Sequence, residues 1–347
     1  MSIVVKQSFF NLITIGVAFI IGAVNTLYLY PTFLGSKLQG LVIALLAISN
    51  IIQPFLSFGT QHAVIRFYSR YKSKKEKNAV LTLSLIIPFI ITSIAIPIFY
   101  FYYDQIKVLL FQTENAFSQY AYVILFIAVS TSFFEIFYSW VRVKLKSVFG
   151  NFLKELYPRL LITSLLILYT FDYLDFDNFI LFLIYGYYLR LLIVMIYSFI
   201  INKPKVSFYF KNDFKEILRY SFLILLSGAA SSIILDIDKS MLSSILTVEN
   251  VAYYSVAIFI AAVIEIPGRA MFQILSPIVA EVINKNNNKK LKYLLKKSST
   301  NLVLVSSLFF LIINLNLNDF YEMLNQEGYN KGIPIVIVVS FAKLYSM

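Results

Sequence analysis

Long apolar runs alternate with short polar joints along nearly the whole chain, and a run of about 20 such residues is long enough to cross a bilayer as a helix. The runs cover Phe9 to Tyr30, Leu41 to Ile65, Ala79 to Tyr102, Ser118 to Val141, Leu156 to Thr170 and Phe179 to Ile201. After a polar interval they resume at Ser221 to Leu235, with continuation through Leu246 left open, then Val251 to Phe272 and Ser299 to Leu315. A tenth begins near Ile333 and stops at Met347. Pro54 inside the second run predicts a kink, because proline removes one backbone donor and clashes with the preceding turn. The expected fold is an all-α polytopic membrane protein with about nine or ten transmembrane helices.

Two polar joints look alike. YPTFLGSKLQ separates the first two runs, and DIDKSMLSSILTVEN separates the seventh and eighth, about 212 positions later, with Gly40 falling opposite Ala252. With six runs before the second joint's half begins, both halves start from the same side. That predicts two parallel-related six-helix bundles, the second incomplete in this chain. The expected division is a bundle over 1–202, a cytoplasmic amphipathic linker over 203–219 and a truncated second bundle over 220–347. In the linker, Phe208, Phe210, Phe214, Ile217 and Leu218 are spaced as an interfacial helix requires.

Charge sets a direction. Alternate hinges at 66–77, 142–159, 203–219 and 269–297 hold 23 of the 30 lysines and arginines, against five acids. The intervening loops hold four basic residues, Lys37, Lys107, Lys239 and Lys331, and eleven acids. The positive-inside rule then places the N-terminus and the basic hinges in the cytoplasm. This distribution also argues against nucleic acid as the reason for the net charge of +12.

Composition agrees with a lipid-facing surface: 59% of residues are hydrophobic, 14% are charged and the mean hydropathy is +0.77. A soluble domain carries about 25% charged residues. Without cysteine there are no disulfides or thiolate metal sites, and the single histidine, His62, rules out a histidine-based zinc site. No phosphate-cradling Walker sequence and no loop long enough for an enzyme domain occur, so neither a cofactor nor catalysis is expected. A membrane-embedded transferase would need clustered acids; Asp172, Asp175 and Asp177 form the one such cluster, which reads better as a solvated loop capping a helix.

Charged residues at membrane depth usually face a cavity or a partner. Glu135, Arg190 and Glu265 lie inside apolar runs, and Asp236, Asp238 and Lys239 lie in the second joint. Glu135 and Arg190 either face a cavity or pair with each other; Arg190 alternatively snorkels to an interface. Asp236, Asp238 and Lys239 fit a cavity or a solvated turn. Arg66 and Arg269 flank the cytoplasmic ends of the second and eighth runs, as membrane anchors or as substrate contacts.

The segments DIDKSML, VENVAYYSVA and PGRAMFQILSPIVAE, together with FLGSKLQG near the N-terminus, resemble the oligosaccharide and polysaccharide flippases. These O-antigen-type transporters belong to the multidrug/oligosaccharidyl-lipid/polysaccharide exporter superfamily. The resemblance implies a bacterial inner-membrane protein that moves a lipid-linked oligosaccharide, carried on undecaprenyl diphosphate, to the outer leaflet by alternating access. It implies membrane lipids, a polysaccharide polymerase and other assembly proteins as partners. Carried onto this chain, it points to Arg66, Asp238, Lys239 and Arg269 as substrate contacts, with Arg190 added for its depth. Glu135, Asp236 and Glu265 are the expected coupling or cavity acids. The alternatives are a multidrug or cation exporter of the same fold and a non-transporting assembly subunit.

Overall fold

A computed structural model describes residues 3–110, 115–209, 213–268, 271, 272, 275, 279, 282, 283, 287–324 and 326–346. These residues are overwhelmingly helical, and no strand occurs among them. The helices are α1 (Ile3–Val24), α2 (Gly35–Ser57), α3 (Thr60–Arg70), α4 (Lys74–Phe101), α5 (Tyr103–Leu110) and α6 (Tyr122–Arg142). They continue with α7 (Tyr157–Thr170), α8 (Phe176–Asn202), α9 (Phe214–Ile245), α10 (Val248–Ala262), α11 (Asn288–Leu315), α12 (Leu317–Leu324) and α13 (Ile333–Tyr345).

Among the described residues, eight spans are long and apolar enough to cross a membrane: Phe10–Phe33, Gly35–Ser57, Lys74–Phe101, Ser118–Arg142, Phe176–Asn202, Phe214–Ile245, Val248–Gly268 and Asn288–Leu315. Large apolar side chains on them stand in the open, with Ile20 63%, Phe89 65% and Leu304 65% exposed. Burying such a side chain is worth about 1.5–3 kcal/mol in water, so this many exposed ones identify lipid as the surrounding medium. The chain is a multi-pass membrane protein.

Packing divides the chain into two compact units, one comprising Met1–Asn25 with Lys37–Val251, the other Thr26–Ser36 with Ala252–Met347. The core of the first is built from α3, α4, α6 and α8, with Phe67, Leu81, Phe134, Trp140 and Val194 fully buried. An indole N–H needs a partner when buried, and Trp140 donates to Ser84 Oγ at 3.0 Å. In the second, Tyr253, Val256, Leu317, Tyr321, Tyr329 and Val336 pack together.

Three features depart from the hydropathy pattern. The second run is not one kinked helix: Phe58 (φ 52°) and Gly59 (φ 66°) are both left-handed and separate α2 from α3. The hinge expected at 142–159 is largely helical, because Ser147–Asn151 and a π-helical turn, Phe152–Leu156, lead straight into α7. Residues 147–170 therefore form one helical stretch, about 36 Å long at 1.5 Å per residue, and Lys154 and Arg159 lie within it. The interfacial helix expected over 203–219 appears only in its last part. Lys203 ends α8 with φ 44°, Pro204 disfavours helix in the residue before it, and residues 203–209 are irregular. Ser207 ties this strap to α4, its N–H donating to Thr82 Oγ1 at 3.2 Å and its hydroxyl to the Lys75 carbonyl at 3.0 Å. Phe210 lies outside the described residues.

Where α9 begins, it is fastened to the end of α3. Arg70 donates from one nitrogen to both oxygens of Glu216, at 2.8 and 2.9 Å, and the Tyr71 hydroxyl donates to Asp213 at 2.8 Å. Burial, followed by the bond to Asp213, raises the Tyr71 pKa above the ordinary tyrosine value. From there α9 runs unbroken for 32 residues, so the second joint's Asp236, Asp238 and Lys239 are helical rather than a solvated turn. At the other end of α8, Asp175 caps the helix by accepting from the Asn178 N–H at 2.8 Å. The neighbouring Asp177 accepts from the Tyr120 hydroxyl at 2.6 Å.

Candidate functional site

The first unit encloses a polar cavity of about 200 Å³, and the break between α2 and α3 helps to form it. A β-carbon at Gly59 would collide with the backbone of α9 at Ser221 and Leu225. Glycine thus permits both the left-handed turn and the close approach. The first turn of α3 then offers Gln61 and His62 to the cavity, beside Gln53 from the last turns of α2. On α6, Glu135, Ser139 and Arg142 follow an i, i+4, i+7 spacing and share a face. Lys154 enters from the π-turn before α7, and Leu225, Gly228 and Ser232 close the wall from α9.

An ion pair crosses the cavity. Lys154 Nζ lies 2.7 Å from Glu135 Oε1, with the carboxylate side chain 17% exposed and the lysine 40%. Arg142 and Lys154 both approach the Tyr138 ring, at 5.7 and 6.0 Å from its centroid. Two fixed cations and one carboxylate leave the lining with net positive charge even with His62 neutral. Gln53 Nε2 and Gln61 Oε1 are buried with no hydrogen-bond partner among the described residues. A buried unpaired polar atom costs about 1–3 kcal/mol, so this lining favours a polar, anionic guest over an apolar one.

The residues singled out from the sequence are dispersed. Glu135 lines the cavity, but its partner is Lys154 and not Arg190. Arg190 does not reach an interface. It is 4% exposed, its guanidinium lies 4.3 Å from the Phe134 ring centroid and 4.6 Å from that of Tyr187, and Nη2 donates to Thr131 Oγ1 at 3.1 Å. Arg66 is exposed on α3 with its guanidinium 4.4 Å from the Tyr220 ring centroid, and it does not line the cavity. Asp236 and Lys239 pair one turn apart on α9 at 2.5 Å, and Asn50 donates to Asp236 at 3.2 Å, while Asp238 is exposed. In the second unit Glu265 sits in a 3₁₀ turn after α10 and pairs with Lys343 of α13 at 2.5 Å. Arg269 lies outside the described residues.

Sequence reasoning missed Lys154, Arg142, His62, Gln61 and Ser139 as members of one site. The spacing from Glu135 to Arg142 was the available signal. Lys154 had none, since its place follows from a helix that hydropathy does not reveal.

A family model described as "Polysaccharide biosynthesis protein" matches residues 4–283. The chain belongs to this family. It is the family of polysaccharide and O-antigen flippases, whose members are typically transporters. The resemblance read from the second joint and the segments after it thus agrees with the family match, which covers the first unit from residue 4 onward and runs into the second. No curated protein and no solved structure matches the chain.

Proposed function

We propose that this polysaccharide biosynthesis protein transfers a lipid-linked oligosaccharide, of the undecaprenyl-diphosphate type, from the cytoplasmic to the outer leaflet of a bacterial inner membrane. The observation that carries the proposal is a positively charged, hydrogen-bonding cavity inside a bundle whose outer surface is apolar. A diphosphate and its sugars cannot enter hydrocarbon unaided, since desolvating charge without a partner is prohibitive. Arg142 and Lys154, with His62, would meet the diphosphate through charge-assisted hydrogen bonds, while the polyprenyl chain stays in lipid. Glu135 holds Lys154 in place when no phosphate competes for it. Exposure of the loaded cavity first to one membrane face and then to the other is the alternating-access step.

A cavity with surplus cationic charge repels a cationic drug, which favours this reading over a drug exporter. The alternation of basic hinges supports a cytoplasmic N-terminus. Deleting the gene in its host should cause lipid-linked intermediate to accumulate facing the cytoplasm and surface polysaccharide to fall. Unchanged surface polysaccharide with no such accumulation would remove the proposal.

A further inference from the structure

The second unit carries a polar cavity of its own, about 730 Å³, at the end of α11 where the chain turns through α12 toward α13. On α12, Asn318, Tyr321 and Glu322 stand at i, i+3 and i+4 and so share one face. A second wall is formed by Gln326, Glu327 and Asn330, from the segment that follows α12. That wall is held by the core beneath it. Gly328 adopts φ 83°, a β-carbon there would strike the Tyr253 hydroxyl, and the Tyr253 and Tyr329 rings pack edge to face at 5.2 Å. Tyr321 is 6% exposed, and its hydroxyl has no hydrogen-bond partner among the described residues.

The lining combines two carboxylates, three amides and the Tyr321 ring, and no lysine or arginine is among the described residues that line it. A sugar hydroxyl is donor and acceptor at once, which an amide matches from both ends, and carboxylates accept charge-assisted bonds from neighbouring hydroxyl pairs. The volume lies within the roughly 300–1,000 Å³ usual for small-molecule sites. Two uncompensated carboxylates discriminate against sugars that are themselves anionic.

We propose that this cavity binds a short stretch of neutral or amino-sugar oligosaccharide and rejects uronic-acid sugars. The inference rests on the transport reading above, which places this end of α11 opposite the basic hinge and therefore where the glycan emerges. It assigns the sugar portion of the substrate a binding surface separate from the phosphate-attracting cavity of the first unit.

The test uses the purified full chain in detergent and soluble, lipid-free probes: maltotriose, tri-N-acetylchitotriose and trigalacturonate. Saturation-transfer NMR and thermophoresis should detect at least one neutral trisaccharide and no trigalacturonate. Glu322 and Asn330 are exposed, so Glu322→Gln and Asn330→Ala should leave the fold intact while weakening binding about tenfold, as expected for losing a hydrogen bond to a charged or desolvated partner. The proposal is overturned by absence of binding to both neutral probes, by equal affinity for trigalacturonate, or by variants that bind like wild type. A signal that vanishes on adding a chelator would reassign the carboxylates to a divalent cation and overturn it as well. Because no lipid carrier is involved, failed glycan binding leaves the transport reading standing. Failed transport with intact glycan binding removes only the transport reading.

Discussion

Removing Lys154 should harm the protein more than removing its partner, and removing both should undo part of the harm. At 2.7 Å, with an effective dielectric of about 20, the Glu135–Lys154 attraction is about 6 kcal/mol before desolvation is subtracted. Desolvation and the 40% exposure of the lysine side chain cut the net coupling to about 1–3 kcal/mol. The burial is unequal. Glu135 is 17% exposed, so Lys154→Met strands a carboxylate in the bundle at a cost of about 3 kcal/mol. In Glu135→Gln the freed lysine can extend its flexible stem toward water, and the cost falls to about 1–2 kcal/mol. The double variant should therefore be more stable than Lys154→Met alone. A double-mutant cycle on equilibrium unfolding of the detergent-purified chain measures this. A coupling within about 0.3 kcal/mol of zero, or a double variant no better than Lys154→Met, would refute the reasoning.

Gly59→Ala introduces a β-carbon at φ 66° against the α9 backbone and should cost about 2–4 kcal/mol, read as a lower unfolding midpoint and reduced membrane yield. Arg190→Lys keeps the charge but loses the guanidinium that lies over the Phe134 and Tyr187 rings; about 1–3 kcal/mol of destabilisation is expected in the same unfolding assay, with Arg190→Met closer to wild type. Tyr71 has a pKa raised by burial and by its bond to Asp213, so the folded state holds the proton more tightly than the unfolded one. Its stabilisation is complete below the ordinary tyrosine pKa of about 10 and is lost as pH rises beyond that toward the folded value. Tyr71→Phe should flatten the alkaline limb of stability against pH, and an unchanged limb would show that Tyr71 does not govern it.

Much of the architecture was legible because hydrocarbon imposes a length on apolar runs. The run expected over 179–201 became α8, Phe176–Asn202, and the one expected over 118–141 became the span Ser118–Arg142. The helical stretch over 147–170 was legible only in its apolar end. Lys154, Glu155 and Arg159 lower its hydropathy, yet each is satisfied inside the protein, by Glu135 or by the Glu155–Arg159 contact at 3.5 Å. Averaging over a window counts such charges as exposed, whereas packing neutralises them pairwise. For the same reason the polar cavity was only half visible: Glu135 stood out against its apolar neighbours, but Lys154 was hidden among the basic residues of a supposed hinge. The split of the second run at Phe58 and Gly59 depended on a backbone approach to α9, more than 160 residues later in the chain, which no local pattern encodes.

Leaflet transfer itself is the most direct test. Proteoliposomes holding the full chain and a fluorophore-tagged undecaprenyl-diphosphate oligosaccharide would be exposed to a membrane-impermeant quencher while transfer proceeds. Wild-type protein should render nearly all the label quenchable within minutes, with Lys154→Met slowed severalfold. A quenchable fraction that stays at the value of protein-free liposomes, about half, would contradict the account.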